Sequence, residues 1–111
     1  MKLVEFVPPK PHPLWKLCLQ MGITDVIVKV NPDLTGLPDP WRFATLSQIV
    51  EGLRVEGLRV VGLEGDPFDM SPIKEFGARN GQDEMALREE ALAHYRELLE
   101  SMSRLGIKRL C

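Results

Sequence analysis

A single glycine joins a helical pattern to a β-rich run in the stretch Gln20-Met21-Gly22-Ile23-Thr24-Asp25-Val26-Ile27-Val28. Glycine can adopt the left-handed conformation that ends a helix, and the residue after it begins an extended run. The same junction recurs at Val55-Glu56-Gly57-Leu58 before Val60-Val61-Gly62-Leu63, and at Arg104-Leu105-Gly106-Ile107 before Arg109-Leu110-Cys111. Repeated units of strand, helix, glycine and strand are typical of a parallel sheet wrapped by helices. We therefore predict an α/β fold that forms the front part of a larger barrel, cut in its fourth strand.

The pattern predicts four strands and three helices in alternation. The strands are expected at Leu3–Val7, Asp25–Val30, Val60–Glu64 and from Ile107 onward. The helices are expected at about Pro13–Met21, Phe43–Glu56 and Glu84–Leu105, the last with Asp83 as its N-cap. The nearly continuous apolar character of the second strand is typical of a strand that is buried on both faces. Between the third strand and the third helix, residues 65–83 form a connection much longer than βα loops usually are.

The composition and net charge limit the kinds of partner and location that are expected for this protein. The chain has 111 residues, which is enough for one domain, and 44% of them are hydrophobic. A formal net charge of −2 gives no electrostatic reason to expect nucleic acid or an anionic membrane as a partner. No apolar run approaches the roughly 20 residues that span a bilayer. Cys18 and Cys111 do not resemble a disulfide framework, so we expect a cytoplasmic protein in which both thiols are small core residues.

Periodicity also predicts which helical residues face the core. In the first helix, the stripe comprises Leu14, Leu17, Cys18 and Met21. In the second helix it comprises Leu46, Ile49, Val50 and Leu53, and in the third Leu87, Ala91, Tyr95, Leu98 and Met102. Trp15 and Trp41 are expected to cover apolar surface. His12 and His94 have no metal-ligand neighbours at suitable spacing, so a structural role is favoured for both.

Candidate site residues follow from the rule that ligands bind at the carboxyl ends of parallel strands. Lys29 lies close to that end of the second strand, on one face with Asp25 and Ile27. Glu64 ends the third strand, and Asp66 and Asp69 follow it. Carboxylates there can hold a metal, bind sugar hydroxyls or relay protons, although solvated loop residues would show the same spacing.

The stretch Val61-Gly62-Leu63-Glu64-Gly65-Asp66-Pro67-Phe68-Asp69-Met70-Ser71-Pro72-Ile73-Lys74 adds a resemblance. After it come Arg79-Asn80-Gly81-Gln82-Asp83-Glu84, a long helix with Tyr95, and Leu105-Gly106-Ile107 before a strand ending in Cys111. In this order and spacing the chain resembles, from Trp15 to Cys111, the amino-terminal region of mannonate dehydratase and its relatives in the xylose-isomerase-like barrel superfamily. The resemblance implies the amino-terminal portion of a (β/α)8 TIM barrel, a lyase of hexuronate catabolism that converts D-mannonate to 2-keto-3-deoxy-D-gluconate and water.

The resemblance assigns only a few residues of this chain to the site. Glu64 and Lys74 match positions that face the substrate, and Asp66 and Lys29 are added as substrate-binding candidates from their place at the strand ends. Family members use Mn²⁺ or Fe²⁺, but their His, Cys and carboxylate ligands lie on later strands, so none is assigned in this chain. Cys111 in particular is not one of those ligands. The partners expected are a sugar-acid substrate and, at full length, further copies in a homo-oligomer.

Two other functions stay open at this point. One is a sugar isomerase or epimerase of the same superfamily, and the other is a small non-catalytic α/β binding module. A Tyr-Asn-Phe continuation after Cys111 would favour the dehydratase. By itself the 111-residue chain is expected to be inactive as a lyase, because the metal ligands are missing and the sheet would present unpaired edges.

Overall fold

Strands and helices alternate along the chain in the computed structural model, which describes residues 3–74 and 83–111. The strands are β1 (Val4–Val7), β2 (Asp25–Lys29), β3 (Arg59–Glu64) and β4 (Arg109–Leu110). The helices are α1 (Pro13–Gln20), α2 (Pro32–Thr35), α3 (Phe43–Val55), α4 (Ser71–Lys74) and α5 (Asp83–Leu105). The predicted alternation of strand and helix is confirmed, and the short helices α2 and α4 are additions within stretches that were expected to be loops.

The four strands form one parallel sheet in the order β1-β2-β3-β4. Sequential order arises when every crossover connection has the same right hand and returns over the same face of the sheet. The register between β2 and β3 shifts once, because Val26 pairs with Val60 and Ile27 pairs with Gly62. Val61 is therefore an extra residue in β3, a β-bulge that increases the local twist.

All three long helices cover the same face of this sheet. A single apolar cluster joins residues of the sheet to residues of α1, α3 and α5. From the sheet it takes Val7, Val26, Val28, Val30, Val60 and Leu63; from the helices it takes Trp15, Cys18, Leu46, Ile49, Leu53, Leu98 and Met102. We call this the helix-covered face. The opposite face, which we call the open face, carries Val4, Phe6, Asp25, Ile27, Lys29, Arg59, Gly62, Glu64 and Arg109.

Helix α1 is rotated relative to the stripe that periodicity predicts. Trp15 and Cys18 are buried, whereas Leu17 and Met21 are 47% and 62% exposed. The indole of Trp15 explains the difference, because its large apolar surface enters the core while its Nε1 donates to Pro8 O at 2.9 Å. His12 is the N-cap of this helix, and its Nδ1 accepts the backbone N–H of Leu14 at 3.1 Å.

Two further expectations about the core are corrected. Leu87 is 38% exposed, although Ala91, Leu98 and Met102 on the same predicted stripe are buried. Cys111 is exposed rather than a core residue, since it follows the short edge strand β4. Its backbone nevertheless continues the ladder, because Cys111 N–H donates to Leu63 O at 2.8 Å.

Candidate functional site

The carboxyl ends of β2 and β3 bring a lysine and a glutamate side by side on the open face. Lys29 and Glu64 are register partners across the two strands. Lys29 is exposed, whereas Glu64 is only partly accessible. The Oε2 atom of Glu64 is buried and has no hydrogen-bond partner among the residues that the structure describes. A buried polar atom without a partner costs about 1–3 kcal/mol, so this oxygen stands out as an acceptor that a ligand could satisfy.

Directly after these strands, the loop that follows β2 touches the loop that follows β3. The side chain of Asn31 packs against Gly65, so closely that a Cβ atom at position 65 would overlap its amide group. Gly65 has φ of +96°, which glycine adopts without strain. Val30 N–H donates to Glu64 O at 2.9 Å and continues the pairing of the two strands up to this contact. Position 65 therefore requires glycine for two reasons, its backbone conformation and the close approach of Asn31.

Above the contact lies an acidic cavity of about 600 Å³. Asp33, Asp66 and Asp69 line it together with Asn31 and Phe68. Asp69 also organises the loop, because its Oδ1 accepts the backbone N–H of Ser71 at 3.0 Å where α4 begins. The cavity thus combines carboxylate and amide oxygens with one aromatic ring.

An aromatic cluster lies at the base of the loop that follows β3. His94 of α5 stacks on Trp41 with ring centroids 4.1 Å apart, and both rings meet Phe68 edge-on, at 5.5 and 5.9 Å. Ser101 Oγ donates to Trp41 O at 3.1 Å and holds that segment against α5. The structural role predicted for His94 agrees with this packing, and Phe68 is the residue that connects the cluster to the cavity.

The structure brings some of the predicted site residues together and leaves others apart. Lys29 and Glu64 are adjacent, and Asp66 lines the cavity formed by the loops that follow their strands. Lys74 is the last residue of α4, and its side chain lies outside the described part of the chain, as do residues 75–82 with the Arg79-Asn80-Gly81-Gln82 segment. The sequence-based candidates did not name Asn31 individually, although the candidate segment from Lys29 to Asp33 contains it. Its position directly after a buried strand and before Pro32 was the available signal, since residues at strand ends form the site.

The residues present do not fit the metal that the resemblance implies. Within residues 3–74 and 83–111, no group of three or more His, Cys, Asp or Glu side chains could hold a metal ion. No metal-dependent step is therefore assigned to the residues described here.

At the opposite end of the sheet, Arg59 and Asp25 form an ion pair on the open face. Arg59 Nε donates to Asp25 Oδ1 at 3.2 Å and Nη2 donates to Oδ2 at 3.0 Å. Asp25 is 5% exposed, so the fork of Arg59 supplies donors to a buried carboxylate. These hydrogen bonds raise the pKa of the Arg59 guanidinium above its already high ordinary range. The pair lines a second cavity, of about 480 Å³, together with Lys108 and Arg109.

Comparison with known proteins identifies no relative of the chain. No model of a protein family, no curated protein and no solved structure matches it. In the described part of the chain, no helix has the length and apolar character needed to cross a bilayer.

Proposed function

We propose that this chain supplies the amino-terminal four strands of a (β/α)8-barrel lyase that dehydrates a sugar acid of the mannonate type. The observation that carries the proposal is the unpartnered Oε2 of Glu64 at the carboxyl end of β3. A carboxylate oxygen in that position accepts a hydrogen bond from a substrate hydroxyl group. The hydroxyl then satisfies an atom that folding leaves without a partner.

The surroundings of Glu64 support a polyhydroxylated and acidic substrate. Lys29, its register partner, offers a positive charge for a carboxylate group. Asn31 and Asp66 line the neighbouring cavity and add an amide and a carboxylate for hydroxyl groups. We expect the substrate to lie across the ends of β2 and β3 with its carboxylate toward Lys29 and a hydroxyl group on Glu64.

The strand order supports the barrel part of the proposal. A parallel sheet in sequential order, with its helices on one face, is the arrangement of consecutive units in a (β/α)8 barrel. A doubly wound sheet would instead reverse its strand order and carry helices on both faces. In the resembling family a divalent metal stabilises the negative charge that develops when the proton α to the carboxylate is lost. Its ligands belong to strands beyond β4, so the residues named here only bind and orient the substrate.

The test is a dehydration assay on the natural gene product, with Mn²⁺ or Fe²⁺ supplied. Conversion of D-mannonate to 2-keto-3-deoxy-D-gluconate is the expected result, and a panel of aldoses and ketoses covers the isomerase and epimerase alternatives. Interconversion of those sugars without dehydration of D-mannonate would replace the lyase by an isomerase or epimerase. No turnover of any of them would contradict an enzymatic function at this edge.

A pair of matched variants tests the role of Glu64. Glu64→Gln should lower kcat/KM for D-mannonate by about 10- to 100-fold, the effect of losing a hydrogen bond to a charged group. The same variant should unfold at an equal or higher temperature, because it removes a buried charged oxygen without a partner. Glu97→Gln makes the same chemical change on the exposed surface of α5 and should leave both quantities unchanged. Equal activity of the two variants would remove Glu64 from the site.

A further inference from the structure

The cavity of about 480 Å³ at the amino-terminal end of the sheet gathers positive charge. Arg59, Lys108 and Arg109 line it, and Asp25 is the only carboxylate among the described residues of its lining. Three positive side chains against one carboxylate leave two positive charges unbalanced there, although the formal net charge of the whole chain is −2. Positive charge is therefore concentrated at this end of a slightly acidic molecule.

The guanidinium of Arg59 is oriented by a buried carboxylate. Nε and Nη2 of Arg59 donate to the two oxygens of Asp25, at 3.2 and 3.0 Å, and Asp25 is 5% exposed. An arginine side chain has five N–H donors, so the Nη1 group and the second hydrogen of Nη2 form another donor edge. No hydrogen bond from that outer edge is found in the described part of the chain. Asp25 therefore positions a pair of donors that suits an oxyanion.

The bulge in β3 and the glycine after it bring Arg109 to the same cavity. Asp25 pairs with Arg59 before the bulge at Val61, and Gly62 pairs with Arg109 after it. A Cβ atom at Gly62 would lie only 3.2 Å from Cβ of Arg109 and 3.3 Å from its carbonyl oxygen. The first part of the Arg109 side chain thus packs closely on β3. Bulges are frequent beside binding sites, where they redirect a side chain.

Lys108 and Arg109 are accessible to a ligand. Both side chains are exposed, and the ion pairs found within residues 3–74 and 83–111 join other residues. The remaining side chains of the cavity lining are apolar, from Val4, Val60, Val61 and Leu105. The volume is in the range of sites for small molecules. The cavity therefore suits an anionic group attached to a small organic part.

We propose that this cavity binds the phosphate group of a small phosphorylated molecule. A phosphate monoester carries a charge of about −1.5 to −2 at pH 7, which balances the two positive charges in excess. Its oxygens accept hydrogen bonds from the outer edge of Arg59 and from Arg109, and Lys108 adds a further positive charge. Glu64 lies at the other end of the same sheet, so this site is separate from the proposed substrate-binding edge and does not depend on it.

The first experiment follows the backbone amides of the 111-residue chain by NMR during titration with inorganic phosphate, at constant ionic strength. We expect saturable shifts centred on residues 59–62 and 105–109. No saturable shift, or shifts centred on the edge at Glu64, would overturn the proposal.

Two further ligands identify the chemical class. Phenyl phosphate should bind about two- to five-fold more tightly than inorganic phosphate, because its ring contacts the apolar part of the lining. The reverse order would overturn the assignment to an organic phosphate and leave free phosphate as the ligand. Malonate carries two carboxylate groups, and it should bind more weakly than inorganic phosphate. Malonate binding of equal or greater affinity would overturn the assignment to phosphate.

Matched double variants test whether the cavity, rather than the overall charge, binds the anion. Lys108→Gln combined with Arg109→Gln should weaken the binding of phenyl phosphate by about 10-fold or more. Lys16→Gln combined with Arg96→Gln makes the same change of charge at exposed positions of α1 and α5, and should weaken it by less than about two-fold. Equal weakening by the two double variants would overturn the proposal. All four positions are exposed, so both proteins should unfold at the temperature of the unmodified chain.

Discussion

The two faces of the sheet differ in what they bury. On the helix-covered face, Val26 and Val28 of β2 and the following Val30 have no exposed surface and belong to the apolar cluster. On the open face, the same strand carries Ile27 and two charged residues, Asp25 and Lys29. The same strand thus carries a uniform apolar side and a side that mixes charge with apolar surface. The comparison indicates that burial of apolar side chains on the helix-covered face is the main source of stability.

The largest expected effect is a cavity on the helix-covered face. Leu63→Ala removes a side chain that is 1% exposed in β3 and should lower the free energy of unfolding by about 2–5 kcal/mol. Leu99→Ala, at a position 45% exposed on α5, is the control and should cost less than about 1 kcal/mol. Chemical denaturation measures both. Similar losses in the two variants would mean that the helix-covered face is not the main source of stability.

A second test addresses the contact between the loops after β2 and β3. Gly65→Ala should destabilise the protein by about 2–4 kcal/mol, because the new Cβ overlaps Asn31 and alanine is strained at the positive φ of this position. Thermal unfolding is the measurement. Combining Gly65→Ala with Asn31→Ala should recover the part that is due to overlap and leave the backbone strain of about 1 kcal/mol. If the double variant is no more stable than Gly65→Ala alone, the close approach of Asn31 is not what makes glycine necessary.

On the open face, removal of an ion-pair partner should have a smaller effect. Arg59→Ala leaves the buried carboxylate of Asp25 without its bidentate donor and should lower the free energy of unfolding by less than the two changes above. Arg54→Ala removes the partner of Glu51 from a fully exposed pair on α3 and should have little measurable effect. Denaturation at low and high salt distinguishes the two sites, since screening by salt acts mainly on the exposed pair.

The smallest effect concerns the two thiols. Burial, with a further contribution from the charge of Glu5, raises the pKa of Cys18 above its ordinary value of 9.0. Because the folded pKa is the higher one, the stabilisation is complete below the unfolded pKa and is lost as the pH rises through the folded pKa. Unfolding experiments above about pH 9 should therefore show a fall in stability that Cys18→Ala reduces.

The exposed thiol is the matched control for that measurement. Cys111 should react rapidly with an alkylating reagent in the native state, whereas Cys18 should react only after opening of the fold. Equal rates of alkylation for the two thiols would contradict the burial of Cys18.

Local patterns in the sequence were sufficient for the parallel α/β arrangement and for part of the site. Gly22, Gly57 and Gly106 each adopt positive φ where the sequence predicts the end of a helix. The positions of these helix ends could be predicted because a glycine at a helix end depends only on the backbone conformation of a few neighbouring residues. The sequence also placed Lys29 and Glu64 near the carboxyl ends of their strands, whereas their pairing across the two strands is a result of the register.

Three features were decided only by the tertiary structure. They are the side of α1 that faces the core, the position of the bulge in β3, and the contacts between residues that are far apart in the sequence. Leu17 and Met21 fit the helical period as well as Cys18 does. The rotation of the helix is instead set by Trp15, whose side chain is buried and whose Nε1 donates to Pro8 O. The bulge at Val61, the contact of Asn31 with Gly65 and the pairing of Asp25 with Arg59 depend on the relative positions of two strands. Periodicity and turn residues describe one segment at a time, whereas these contacts depend on how separate segments pack against each other.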